Sequence, residues 1–579
     1  MWVAFKTQNW GLILLPGVLL WATPAMESKP QLTFSRVYRD ESVYGITLGK
    51  ADRERAEIEQ QFQYWSTYQS NQMPPEQQRA WIELCRTAPI AASSPFCPFY
   101  LKESKSKAKT LGLPATPSSN RVESRLSRAE ALQAWKSNHW ELLAGRTESE
   151  IQPILSSLGS APAALRASDS ILKHPQCLST FLLFGIGLKL ESAFPKQEIR
   201  ARAEALYQMA LNCGKDNGSV AAGYRLGLFK IWEGRFDEAE NILSQIPDLP
   251  HSSDYRMRIG YWRYYCADKN KNEVLKAHLR SWVTREYPLS LHSLLVHASK
   301  FGSDLQWQDA GDPEVIFRSQ SNPNLSMSTA AIEYLLMKKE TRSARFLLST
   351  YQEIALQEAP QFRLYWAILL KRAGVLSEGF RFMASAFREN PALISRSTLE
   401  ILYPRQYLEL APAQPAPLDR FFTLSIIRQE SAFDPNARSS ARAMGLMQLQ
   451  LPTARNFEKH VTQEKLIDPE TNIRIGSKYI NHLVANEKGA VELALASYNA
   501  GPGRIRQWKA RYPIDQHLLF IDLLPARETR EYVSSILRNY FWYLKLYSPQ
   551  SPGRNLASNA DGTVAESLEP YIRSMIPNP

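Results

Sequence analysis

Between Phe421 and Gln450 an apolar helical pattern closes on a single acid. Phe422, Ile426 and Glu430 are spaced four apart, with Phe421, Leu424 and Ile427 beside them. A helix here aligns Glu430 with a core-facing stripe. Asp434-Pro435-Asn436 then predicts the stop, because Pro disfavours a helical residue before it and Asp and Asn favour turns. Glu430 therefore falls in the last turn, where the negative end of the helix dipole opposes a carboxylate and raises its pKa. That is what a neutral-pH proton donor needs, since a free Glu titrates at about 4.3. On this stretch alone, an ordinary solvated helix-end Glu explains the pattern equally well.

Elsewhere the periodicity is also helical. Ala51 to Gln69 and Pro75 to Cys85 predict helices within an N-terminal region, 26–101. A Lys-, Ser- and Pro-rich linker, 102–121, follows. Over 122–402 no alternating strand pattern stands out and helix pairs recur: Val220–Trp232 with Phe236–Gln245, Ser328–Met337 with Thr341–Glu353, and Phe362–Arg372 with Leu376–Arg388. Gly234 and Gly374 sit where a first helix must end in left-handed backbone. Pairs of about 30 residues predict an α-superhelical solenoid of tetratricopeptide type, each pair burying its apolar face against its neighbours. Its aromatic residues, such as Trp262, Tyr265 and Trp366, read as core rather than as a ligand platform. Tyr403-Pro404-Arg405 and the Pro-rich run to Pro417 open a final domain, 403–547, and a Pro-, Ser- and Asn-rich tail occupies 548–579. The fold class expected is all-α.

Composition narrows the partners. With 69 Lys plus Arg against 57 Asp plus Glu, the chain carries +12 and suits an anionic partner. No zinc-finger spacing, RNP-type run or arginine block points to nucleic acid, and a polyanionic wall polymer fits equally well. Lys6, the apolar run Trp10–Ala22 and the small residues up to Ala25 have the layout of a secretory signal, 1–25. The run is short for a membrane span, which needs about 20 residues, so the membrane enters only if the segment stays as an uncleaved anchor. The five cysteines form no CxxC pair. Cys85 with Cys97, or Cys177 with Cys213, could bridge in an oxidising compartment, while buried free thiols explain most of them.

Four blocks of the last domain bear on chemistry: Glu430-Ser431, Gly445-Leu446-Met447-Gln448, Ala496-Ser497-Tyr498-Asn499-Ala500-Gly501-Pro502, and Glu528-Thr529-Arg530-Glu531-Tyr532-Val533. With Asp468-Pro469-Glu470-Thr471-Asn472-Ile473 and Gly476 between the second and third, the ordered set resembles the catalytic domain of the soluble lytic murein transglycosylases over about 403–547. The resemblance implies a lysozyme-like helical domain behind the solenoid, in the periplasm. It implies peptidoglycan glycan strands as substrate, with the solenoid guiding them or meeting protein partners, and no metal or other cofactor. Glu430 becomes the single catalytic acid/base, assisted by a hydrogen bond from Tyr498. Met447 and Gln448 become saccharide-groove residues, Asn499 with Gly501 a close backbone approach to glycan, Glu528 a cleft acid and Ser431 a minor contact. A muramidase hydrolysing the same bond, or a non-catalytic glycan-binding scaffold, are the rivals. The Pro of Gln448-Leu449-Gln450-Leu451-Pro452 comes one position later than the family form, and Ser497 replaces the common Ala.

Overall fold

The computed structural model describes residues 12–15, 18–21, 31–33, 62, 128–137, 140–173, 177–249, 253–296, 314–316, 323–413 and 418–547. Of the signal-type segment only Leu12–Leu15 and Val18–Trp21 are described, as an antiparallel strand pair. Cys85, Cys97, the 102–121 linker, the helices expected before it except Phe62, and the 548–579 tail lie outside the described residues. The chain divides into two compact units, 1–118 with 307–404 and 119–306 with 405–579, so the division falls inside the 122–402 stretch.

In the first unit the expected helix pairs form as Pro323–Met337 with Thr341–Thr350 and Pro360–Arg372 with Leu376–Glu389. Gly374 has φ +72° and passes the chain from one helix to the next. The Pro360–Arg372 helix is buried on all sides from Phe362 to Leu370, which explains why its pattern is apolar without a clean stripe. A short strand, Glu314–Ile316, pairs with Gln31–Thr33; three residues give too little alternation to stand out in a helical background.

The second unit stacks Thr180–Leu190, Gln197–Cys213, Asn217–Trp232, Phe236–Ser244, Ser253–Lys269 and Glu273–Glu286 so that each helix packs on the next in sequence. This is the neighbour-on-neighbour burial of a helical solenoid. Gly234, φ +73°, makes the turn between the helices flanking it. Cys177 and Cys213 form a disulfide with a Cα–Cα distance of 5.2 Å, tying the start of the Thr180 helix to the end of the Gln197 helix. Cys266 is a buried free thiol.

Two buried ionic clusters join this stack to the last domain. Glu191 receives Arg225 and the hydroxyls of Tyr207 and Tyr512, while Arg225 also donates to the Leu523 carbonyl at 2.7 Å. Asp522 pairs with Arg258 and accepts from Trp262 Nε1 at 2.7 Å and from the Tyr224 hydroxyl at 2.9 Å. Both Asp522 and Arg258 are withdrawn from water. Desolvation alone would push the Asp522 carboxyl up, but Arg258, His292 and Trp262 overcome it and hold the carboxyl well below the usual range.

Removing one member of such a pair strands the other charge in the interior, a loss of about 3–5 kcal/mol. Asp522→Ala should therefore lower the thermal midpoint of the purified protein far more than Asp248→Ala at the exposed Arg256 pair, as read by calorimetry. Because the folded carboxyl titrates below the unfolded one, the Asp522 contribution is complete above about pH 4 and is lost as pH falls. Equal midpoints for the two variants would refute the cluster's role.

Candidate active site

The helix bearing Glu430 runs from Arg420 to Ser431. Asp419 caps it: one carboxylate oxygen accepts the Phe421 and Phe422 amides at 2.9 Å, and the other accepts the Tyr540 hydroxyl, also at 2.9 Å. Phe422, Leu424, Ile426 and Ile427 are buried as the pattern predicts. The helix ends earlier than Pro435 requires, because Ala432 and Phe433 take left-handed backbone at φ +48° and +68°. Two such non-glycine residues in a row are costly, roughly 1–2 kcal/mol each, and the surrounding packing holds them there. The Asp434 side chain then closes the turn on the Asn436 amide at 2.9 Å.

The long helix Arg527–Tyr547 packs along the Glu430 helix. Phe422 meets Tyr540 edge to face at 5.4 Å, and Arg428 donates to Asn539 at 3.1 Å. At the other end of this contact the Tyr532 hydroxyl donates to Glu430 Oε1 at 2.6 Å. Tyr532 lies two turns before Tyr540, on the same helix face. Tyr498, the expected partner of Glu430, donates instead to the Met447 carbonyl at 2.8 Å. Its ring stacks on Tyr532 at 6.5 Å and meets Tyr479 at a tilt at 4.9 Å, so three tyrosines form a row beside the acid. Tyr532 stands in the fourth sequence block, but only the helix packing distinguishes it from Tyr498.

Burial pushes the Glu430 carboxyl up to about 7; the Tyr532 hydrogen bond opposes this and the charge of Glu528 reinforces it. Desolvation by the packed helices thus replaces the helix dipole as the main cause. Among other carboxylates of the domain, the partly buried Asp419 caps its helix, the buried Asp522 holds Arg258, and the buried Glu492 lies against His517. Glu528 is exposed and takes one long contact from Asn499 at 3.4 Å.

The loop from Met444 to Leu449 is a turn between two-residue antiparallel strands, Ala443–Met444 and Leu449–Gln450. The Ser431 hydroxyl ties the end of the Glu430 helix to the Leu446 carbonyl at 2.8 Å. Met447 is fully buried with its side chain against Gly476, so its packing is internal in this structure and not on an open groove wall. The Gln448 carboxamide turns inward as well, donating to the Ala437 and Gly445 carbonyls at 3.0 and 2.9 Å. Asn499 accepts the Thr529 hydroxyl at 2.7 Å, which joins the third block to the fourth. Gly501, φ +88°, has open space where a Cβ would stand.

Asn472 organises the loop, a role the sequence blocks did not assign. Its buried amide accepts the Met447 N–H at 2.7 Å and donates to the Met444 and Leu466 carbonyls at 2.9 and 2.7 Å. The signal is local: Asp468 caps the Pro469–Asn486 helix by accepting the Thr471 amide, which leaves Asn472 in the first turn facing the loop.

Residues 411–518 match the family model of the transglycosylase SLT domain. This segment belongs to that domain family. It is similar to the soluble lytic murein transglycosylase of Escherichia coli (strain K12), 35% identical over 139 residues that make up 23% of this chain and 21% of that protein. It is also similar to the membrane-bound lytic murein transglycosylase F of Shewanella loihica, 40% identical over 83 residues, 13% of this chain and 17% of the relative. The chain thus spans about a fifth of the length of these curated relatives. Among solved structures, the lytic transglycosylase Slt of Pseudomonas aeruginosa aligns over 89% of this chain and 90% of its own, with 18% identity and a TM-score of 0.46.

Gly445 is tightly constrained within the SLT-domain match. It has φ +78°, and a Cβ there would stand 2.2 Å from the Leu466 carbonyl oxygen. Gly445→Ala should lower the thermal midpoint by more than the roughly 1–2 kcal/mol of left-handed backbone strain, whereas Gly489→Ala, at φ +93° with no Cβ contact, should cost only that strain. A melting series on both variants tests this, and equal shifts would contradict the steric argument.

Proposed function

We propose that the chain is a periplasmic lytic murein transglycosylase that cleaves the β-1,4 bond between N-acetylmuramic acid and N-acetylglucosamine and leaves 1,6-anhydro ends. The observation that carries this reading is Glu430: a carboxyl pushed up to about 7, held by Tyr532, within the SLT domain. At neutral pH about half of such carboxyls carry the proton, so one group can both give it and take it back.

Protonating the bridging oxygen lets the muramyl C1 become oxocarbenium-like. With Oε1 occupied by the Tyr532 hydroxyl, Oε2 is the oxygen that carries and delivers the proton. The carboxylate formed is stabilised by the same hydroxyl, whose donor bond strengthens as Glu430 gains charge. Glu430 then takes the proton of the muramyl C6 hydroxyl, which closes on C1 without water. Tyr532 itself stays protonated throughout, since burial and the neighbouring Glu430 hold its pKa well above the usual phenol range.

The other residues take supporting roles. Tyr498 positions Tyr532 by stacking and fixes the Met447 carbonyl. Ser431, Met447 and Gln448 hold the loop beside Glu430, while Asn499, Gly501 and Glu528 form the edge open to glycan. The buried Met447 side chain and the inward hydrogen bonds of the Gln448 carboxamide favour a part in shaping the groove over direct sugar contact.

Glu430→Gln should abolish release of muropeptides from purified sacculi while leaving sacculus binding within a few-fold of the parent. Mass spectrometry of the parent's products should show anhydro ends, and products heavier by one water would assign hydrolysis instead.

The pH profile carries a second expectation with opposite signs in two variants. Activity should fall as pH rises through about 7, because the donor form of Glu430 is lost. The Tyr532 hydroxyl lowers the Glu430 pKa, so Tyr532→Phe should move this alkaline limb to higher pH, with a lower maximum rate. Glu528 raises it, so Glu528→Gln should move the limb to lower pH. Movement of both limbs in the same direction would refute the assignment of Glu430 as the titrating group.

A further inference from the structure

A cavity of about 590 Å³ lies in the second unit, a size that suits a small ligand. The helices Glu148–Ser157, Thr180–Leu190 and Asn217–Trp232 each turn one face to it, and the start of the Arg527–Tyr547 helix completes the wall. On the Thr180–Leu190 helix the facing residues are Phe181, Phe184 and Leu188, spaced as a single helix stripe. All three stay only part-buried although their helix is packed between neighbours, so an apolar wall faces the cavity. Gln152 and Ser156 are exposed and form its rim. Tyr224, Arg225 and Arg530 are buried and form its inner end.

That inner end holds a charge with nothing opposite it. Of the charged lining residues, Arg225 is paired with Glu191 and Asp522 with Arg258, and Arg527 has contacts of its own. Glu148 and Lys189 carry opposite signs, and neither is buried. Arg530 is 7% exposed, and among the described residues no carboxylate meets it. Its Nη1 donates to the Leu524 carbonyl, next to the Leu523 carbonyl that Arg225 holds, while its Nε has no hydrogen-bond partner. One edge of the guanidinium fork is therefore unused in a place withdrawn from water, which is costly unless an anion meets it. Burial, with Arg258 and Arg225 nearby, pushes the Arg530 pKa down, the electrostatic sign of the same unmet need.

We propose that this cavity binds a monocarboxylate with an apolar body, the carboxylate on the free edge of Arg530 and the body along Phe181, Phe184 and Leu188. A planar anion with two oxygens fits a guanidinium edge, and a single negative charge is what one unanswered cation can neutralise. A phosphate dianion would bring a second charge into the same buried end. None of these residues has a part in the chemistry proposed for Glu430, so binding here is separable from that activity.

The test is calorimetric titration of the full-length protein with 4-phenylbutyrate, beside its amide, acetate and inorganic phosphate. Saturable one-to-one binding of the acid is expected. The amide should bind weaker by about tenfold or more, the share of one charge-assisted hydrogen bond. Acetate, which lacks the apolar body, should also bind weaker, and phosphate at equal concentration should not displace the acid. Arg530→Lys, which keeps the charge and removes the fork, should weaken binding as much as the amide does. Because Arg530 also holds the Leu524 carbonyl, Ser156→Trp at the exposed rim is the second variant; it should weaken binding by a similar factor with an unchanged melting temperature. Absence of saturable binding, equal affinity for acid and amide or for acid and acetate, displacement by phosphate, or parent-like affinity in either folded variant overturns the proposal.

Discussion

A carboxyl drawn largely out of water at the end of an apolar helix is the constraint around which the last domain is arranged. Glu430 cannot be placed in low dielectric as a bare anion, so its burial demands either neutralisation or a donor. The structure supplies both in part: desolvation raises the pKa to about 7, and the Tyr532 hydroxyl supports the charged form. A pKa near neutrality is the balance of those two opposed effects.

That balance needs the Glu430 helix and the Arg527–Tyr547 helix held in one register. Phe422 against Tyr540, Arg428 on Asn539 and the shared use of Asp419 as cap and as acceptor for Tyr540 set it along the contact. The same long helix is anchored on its other side, where Arg258 donates to the Ser534 hydroxyl at 3.1 Å and pairs with Asp522 just before it. The stacked helices of 119–306 thus bear on the geometry around Glu430 through a buried charge pair. Buried pairs contribute little net stability but strongly penalise any arrangement that separates them, which suits a part whose task is to position.

The loop beside the acid obeys a different logic. Gly445, buried Asn472 and the Tyr498 hydroxyl saturate its backbone groups, so side chains whose chemistry suits sugar contact, Met447 and Gln448, are turned to internal use. Ordered this way, the loop closes one flank of Glu430 with groups already hydrogen-bonded. At Gly501, by contrast, a Cβ would meet only open space.

The sequence alone determined the helical class, the helix pairs with their glycine turns at Gly234 and Gly374, and the end-of-helix place of Glu430. These follow from periodicity and local backbone preference, which act over a few residues. It also identified the segment, because ordered blocks are a local signature. It pointed to Tyr498 and the helix dipole where the structure has Tyr532 and desolvation, and it left open which cysteines pair and that the unit boundary falls inside the helical stretch. Those outcomes depend on contacts between residues far apart in the chain, 102 positions for Tyr532 and Glu430, and on how much water the packed helices exclude. Tyr498 and Tyr532 are equivalent as side chains. Only the packing of two helices gives one of them the proton acceptor and the other a backbone carbonyl.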